Sequence, residues 1–236
     1  LSCEGVNTEG LLVQEGYQTP VKNRLIAGSQ QILRVDFENI EPLSSALEDM
    51  LVARLPSFLD CVQTVAISDY AKGFLSRSLL RQIIESASAR DIPVVVDPKG
   101  DEFSKYAGAC ILKPNLIEAY TAAKVPLDTP LEQVAQDLVE RCNIQTLMIT
   151  RSEAGISLFE RGGEPMHFPV HSRQVKDVTG AGDTVLAVIS LAVANQLDVK
   201  YGVELANIAA AIAVERLGCA RITLSEVAER LLAMDI

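Results

Sequence analysis

Hydrophobic and polar positions change rhythm along this chain. Between residues 10 and 40, LLVQ, KNRLIAG and QQILRVDFE alternate apolar with polar side chains, punctuated by Gly16, Pro20 and Gly28. That pattern predicts extended segments joined by turns. From Gln63 the alternation gives way to short apolar runs, VQTVAISD, IPVVVD, ACILK and QTLMIT, which end at or near Asp69, Asp97, Lys113 and Thr150. Each reads as a buried strand. Among them, Ser76–Arg90 carries Leu79, Leu80, Ile83, Ile84 and Ala87 at helical spacing, and Asn115–Ala123 and Leu131–Cys142 also read as helices. GISLFE and EPMHFPV, separated by Arg161-Gly162-Gly163, predict an antiparallel hairpin. Three further helices are expected at Ala181–Asn195, Tyr201–Leu217 and Ser225–Met234. The first two are apolar nearly all round, which predicts burial.

Strands alternating with helices at short intervals imply right-handed crossovers and a mostly parallel sheet. The expected fold class is α/β, with helices on both faces of a central sheet. No internal repeat, low-complexity tract or linker divides the 236 residues, so one domain is expected. Hydrophobic residues make up 48% and charged residues 22%, which excludes a disordered or collagen-like chain. A net charge of -10 without a basic stripe argues against nucleic acid or an anionic membrane as partner and favours a small molecule or a protein. The five cysteines are widely spaced and form no C-x-x-C pair, which suits a reducing cytoplasm better than a disulfide or zinc framework. The first ten residues show no signal-peptide pattern, and no apolar run reaches the roughly 18 residues of a membrane span.

In open α/β sheets, ligands bind beyond the carboxyl ends of the parallel strands. Asp69, Asp97 with Lys99, Lys113 with Asn115, and Thr150 with Arg151 all fall at such ends, which suggests one common crevice. The sharpest local signal is Asp177-Val178-Thr179-Gly180-Ala181-Gly182-Asp183-Thr184, running into an apolar helix. Its glycines permit close backbone approach, and free N–H groups at the helix start can hold a phosphoryl group. Asp183 beside them could take a proton from an attacking hydroxyl. The same residues also suit a tight turn with a carboxylate complementing the helix dipole.

Two rival motifs fail on inspection. A dinucleotide fingerprint starting at Gly180 needs glycine where Val185 stands, and no Gly-Lys pair exists for a Walker A loop. Asn115 and Glu118 are spaced as a capping box, a role compatible with service to nucleotide phosphates and hydrated Mg²⁺. Lys99 is a candidate phosphate ligand or a solvated loop lysine. Arg24 and Arg34 fit a solvated strand face. His167 and His171 flank a strand-like segment and Pro169, so helical metal-ligand spacing does not apply to them.

DVTGAGDT resembles the signature of the ribokinase (phosphofructokinase-B) carbohydrate kinases, and Asn115–Glu118 looks like the N-x-x-E motif of that family. QQILRVDFE, SDYAKG, VDPKG, LKPN and TRSEAG narrow the resemblance to kinases that phosphorylate D-glycero-D-manno-heptose 7-phosphate at O1, a step toward ADP-heptose for the lipopolysaccharide core. The resemblance implies Asp183 as base toward the anomeric hydroxyl and as a substrate contact, with Gly180, Ala181 and Gly182 as anion hole. It places Asn115, Leu116, Ile117 and Glu118 at ATP phosphates and Mg²⁺, with Glu118 reaching the metal through water. Thr150, Arg151 and Gly155 would line the nucleotide side, Asn207 would sit against the base, and Lys99 would meet a substrate phosphate.

The implied cofactors are ATP and Mg²⁺, the partner a phosphorylated sugar, the location cytoplasmic, and a homodimer is left open. Two departures from the pattern are expected to matter. The family's glycine-rich sugar-holding segment does not precede Leu1, which suggests an amino-terminally incomplete kinase domain. No H-x-G-H motif of a fused nucleotidyltransferase is present. A kinase for another sugar or nucleoside, or an inactive nucleotide-binding fragment, remain the alternative readings.

Overall fold

A computed structural model describes residues 3, 5–27, 30–170 and 175–234. Gly28 and His171, named above from the sequence, lie outside the described residues. The first two strands, β1 (Val21–Ala27) and β2 (Gln30–Phe37), form an antiparallel ribbon with a register shift between Leu25 and Ile26. Arg24 faces Arg34 across it, and both are exposed, as the alternating pattern implied. Leu25, Leu33 and Phe37 are also more than half exposed, so alternation here marks a ribbon and not a half-buried sheet. LLVQ forms no strand.

Helix α1 (Ser45–Leu59) was not predicted. Pro56 argues against a helix because it lacks the N–H that would reach back one turn. Leu51, Leu55 and Leu59, one turn apart, are the buried residues of α1, and Ser44 caps its start. Burial of that stripe outweighs the lost backbone bond.

The main sheet has six strands in chain order: β3 (Val65–Ser68), β4 (Val94–Asp97), β5 (Ile111–Leu112), β6 (Thr146–Thr150), β7 (Ile156–Glu160) and β8 (Met166–Phe168). β3 to β6 run parallel; β7 and β8 add antiparallel, forming the expected hairpin. Sequential order with right-handed crossovers puts the connecting helices on one face. They are α2 (Arg77–Ser88), α3 (Leu116–Ala123) and α4 (Leu131–Arg141), packed with Val94, Val96, Leu112, Leu147 and Ile149. The alternate residues Val95, Ile111 and Met148 point the other way, onto α5 (Ala181–Ala194) and α6 (Val199–Val214). α7 (Leu224–Leu232) packs outside α6 through Val227. Both faces of the sheet are therefore covered, which explains its continuous apolar runs.

Helix α5 begins where predicted and ends one residue early, while α6 and α7 begin two and one residues before their predicted starts and stop three and two before their predicted ends. Burial around α5 is also less complete than its composition implies: Val185, Leu186 and Ile189 face the sheet, but Leu191 is 56% exposed. Among the described residues, no helix is long and apolar enough to cross a membrane.

Candidate active site

The carboxyl ends of β3, β4, β5 and β6 open onto one cavity of about 330 Å³. Asp69, Asp97, Lys99, Lys113, Asn115, Glu118 and Thr150 line it, so the crevice inferred from polar residues at strand ends exists. Gly182 and Asp183 close it from the opposite face, because α5 packs across β3 and β4 and points its amino end at their tips.

The start of α5 is built locally. Gly180 is the N-cap at φ 79°, a left-handed conformation that glycine adopts without strain. Asp177 shapes the preceding turn: Oδ1 accepts from the Thr179 N–H and hydroxyl at 2.9 and 2.7 Å, and Oδ2 accepts from the Gly218 N–H at 2.9 Å. These bonds hold the Asp177 carboxyl below its ordinary range. The first regular helical bond is Thr184 N–H to Gly180 C=O, at 2.9 Å. Gly182 and Asp183 thus present N–H groups with no acceptor among the described residues, the arrangement that favours an anion.

On the strand side, Lys113 is almost wholly buried, at 3% side-chain exposure, and its Nζ lies 2.9 Å from Asp97 Oδ2. Burial pushes the Asp97 carboxyl up; Lys113 opposes this, while the nearby charges of Glu118 and Asp183 add to it. Asn115 and Glu118 form the expected capping box of α3, with reciprocal 2.9 Å bonds. Glu118 does more than cap. Its Oε1 accepts from Lys99 Nζ at 2.6 Å, so Lys99, although half exposed as a loop lysine would be, is tied to the wall of the cavity.

Three features of the cavity escaped the sequence reading. Tyr70 donates its hydroxyl to Asp183 Oδ1 at 3.0 Å. Burial and that bond raise the Tyr70 phenol, partly offset by Ser68. Asp69 Oδ2 accepts from Tyr106 and Lys105 at 2.6 and 2.7 Å, and Oδ1 accepts from Ala71 N–H at 2.7 Å. Tyr106 in turn accepts from Lys99 N–H at 3.0 Å, which fixes the backbone of the Lys99 loop. Finally, the sequence marks Lys113 only as a polar residue at a strand end. The motif stretches SDYAKG and LKPN contain Tyr70 and Lys113, but the partners of these side chains are remote in sequence.

Burial of Asp69 disfavours its charged form, yet the three donors outweigh this and hold its carboxyl below the ordinary range. The folded value lies below the unfolded one, so the resulting stability is present above about pH 4 and is lost as pH falls through the folded value. The advantage in urea midpoint of the parent over Asp69→Asn is expected in full at neutral pH and to shrink below about pH 4. A constant gap down to pH 3 would contradict this assignment.

Several residues inferred from the resemblance stand elsewhere. Leu116 packs on the core and Ile117 is 58% exposed; neither lines the cavity. Arg151 turns away from it, donating to Ser157 Oγ at 2.8 Å, and Ser157 Oγ bonds His167 Nδ1 at 2.8 Å. Gly155, at φ 80°, lies under Phe168, and buried Asn207 donates to the Pro169 carbonyl at 2.6 Å. These three surround the β6–β7 turn and the segment after β8, apart from the cavity.

The model of the pfkB family carbohydrate kinases matches residues 1–226. The bifunctional protein HldE of Trichlorobacter lovleyi is 44% identical over 228 residues, covering 96% of this chain and 46% of that protein. Its namesake from Geobacter sulfurreducens is 40% identical over the same length, again 96% of this chain and 46% of the relative. The chain thus spans about half the length of these curated relatives. In architecture it is similar to phosphofructokinase-2 from Escherichia coli, crystallised in complex with potassium, with TM-score 0.73 and 16% identity over 86% of this chain and 67% of that one. That likeness concerns the fold alone. With the family model covering nearly all of the sequence, the chain belongs to the pfkB family of carbohydrate kinases.

Proposed function

We propose that this chain transfers the γ-phosphoryl group of ATP to O1 of D-glycero-D-manno-heptose 7-phosphate, giving the 1,7-bisphosphate used toward ADP-heptose. The observation that carries the reading is the placement of Asp183 beside two acceptor-free N–H groups at the start of α5, facing a cavity lined by Lys99 and Lys113. The stretches resembling heptose 7-phosphate kinases support the acceptor, as does identity of 40–44% to proteins named HldE.

Asp183 takes the proton of the O1 hydroxyl as O1 closes on the γ-phosphorus. The bond from phosphorus to the β–γ bridging oxygen breaks, and ADP leaves. Gly180, Ala181 and Gly182 shape the anion hole, in which the Gly182 and Asp183 N–H groups would donate to the transferring oxygens while the Ala181 N–H is held by the Val178 carbonyl. Tyr70, bonded to Asp183 Oδ1, orients the carboxylate. Lys99 is suited to a phosphate of the sugar, for which it would exchange its bond to Glu118.

Among the described residues, no cluster of three His, Cys, Asp or Glu side chains could hold a metal. Both Glu118 oxygens already accept hydrogen bonds, which fits a Mg²⁺ that keeps its water shell and is held chiefly by ATP. Such an ion would neutralise phosphate charge. Thr150 and Asn115 border the nucleotide side of the cavity, while Arg151, Gly155 and Asn207 would meet a nucleotide only where it extends past the β6–β7 turn. A cytoplasmic location agrees with the use of ATP as phosphoryl donor, and the exposed apolar ribbon supports a homodimer.

An acceptor panel tests the assignment. With ATP and Mg²⁺, heptose 7-phosphate should exceed ribose, fructose 6-phosphate and nucleosides in kcat/KM by at least about tenfold, the scale of modest binding discrimination. A higher value for any of those competitors would overturn the acceptor.

A further inference from the structure

We infer that Lys113 is a catalytic residue that holds the transferring phosphoryl group from the strand side, opposite the α5 anion hole. The inference deepens the kinase reading and rests on it. Lys113 stands at the end of β5, and its side chain is 97% buried by the 3% exposure given above. Yet it lines the cavity that holds Asp183. An ammonium group has three donors. Among the described residues Asp97 is its one ion-pair or hydrogen-bond partner, at 2.9 Å.

A purely structural account of this pair is weak. The Lys113 ammonium gives up nearly all contact with the surface while Asp97 keeps 23% side-chain exposure, and a charge desolvated in this way recovers the cost only with further hydrogen bonds. Glu118 and Asp183 line the same cavity as the pair, Glu118 being paired with Lys99. A charged ammonium at the wall of this cavity stands where a phosphate entering it would be met.

Position supplies the second, independent argument. A β-carbon on Gly182 would lie 3.7 Å from Lys113 Nζ and 3.9 Å from Asp97 Oδ2, so the pair touches the loop whose N–H groups have no acceptor. Lys113 and those N–H groups therefore border the same few ångströms of cavity from opposite faces. Charge-assisted donors fixed in place act most strongly where negative charge develops. The step remains balanced as written above. The O1 proton goes to Asp183, the phosphorus exchanges its bridging oxygen for O1, and Lys113 stays protonated throughout. Asp97 acts as a positioning residue, holding the ammonium in place.

Calorimetric binding of ATP and of ADP, each with Mg²⁺, tests the contact without any sugar. In Lys113→Met the ATP affinity should fall about tenfold or more, as for loss of a charged hydrogen bond, with ADP affinity nearly unchanged. With the acceptor present, kcat should fall on the order of 10²-fold. If Lys113→Met is too unstable because Asp97 is left unpaired, Lys113→Met/Asp97→Asn removes both charges and is expected to show the same ATP-selective loss. Equal losses for ATP and ADP, or none for either, would overturn the role of Lys113. Failure of the unsubstituted protein to phosphorylate heptose 7-phosphate would instead refute the acceptor reading, leaving the nucleotide comparison to decide on Lys113.

Discussion

Asp183→Asn is expected to lower kcat by about 10³-fold, with the KM for ATP changed less than about threefold, because general-base removal typically costs 10²–10⁴-fold. Asparagine preserves the shape of the side chain and keeps an oxygen to accept the Tyr70 hydroxyl, so the architecture at the start of α5 should survive. What disappears is the ability to accept the O1 proton and the negative charge beside it. The helix itself places this group: Asp183 follows directly on Gly182, whose N–H has no acceptor among the described residues. Initial rates of ADP formation at saturating acceptor provide the measurement. A variant retaining more than about a tenth of the parent kcat would remove Asp183 from the role of base.

The second large effect concerns folding. Gly155 has φ 80° and ψ -135°, a region essentially closed to other residues, and a β-carbon there would lie 1.9 Å from the Phe168 carbonyl oxygen. Alanine must therefore push β8 away from the turn after β6 as well as bear the dihedral strain. The turn also carries the 2.7 Å bond from Arg151 N–H to Gly155 C=O. Together these place Gly155→Ala at about 3 kcal/mol of destabilisation or more. For a chain of this size that is a fall in Tm of about 6–12 °C. Gly100→Ala is the control, since Gly100 has φ 93° but open space where its β-carbon would go. It should cost about 1 kcal/mol from dihedral strain alone. Equal melting shifts for the two variants would show that the contact with Phe168 is not tight.

This glycine illustrates what the sequence could and could not convey. TRSEAG pointed to Gly155 as a neighbour of the nucleotide, but its steric role needs Phe168, a residue brought alongside only by the β7–β8 hairpin. The strands β3 to β6 were legible because both faces of each are buried, so the apolar runs are continuous and the polar residue at each end stands out. The capping box at Asn115 was legible because it is local. Helix α1 was hidden by Pro56, whose local penalty is overridden by the packing of Leu51, Leu55 and Leu59. Tyr70 and Asp183 are 113 positions apart, and no periodicity could pair them. Lys113 and Gly182 likewise meet only because α5 crosses the sheet. Arg151 was read as facing the crevice from its place after β6, but Ser157 offers it a closer partner in the next strand.

Phosphoryl transfer to O1 is the central reaction. Phosphorus NMR of the product formed from ATP, Mg²⁺ and D-glycero-D-manno-heptose 7-phosphate by the purified protein measures it directly. The predicted spectrum gains an anomeric phosphate resonance coupled to H1, retains that of the 7-phosphate, and shows one ADP per new phosphate, with no new anomeric signal from Asp183→Asn under the same conditions. A phosphate on any other oxygen, or ADP formed without a bisphosphate, would contradict it.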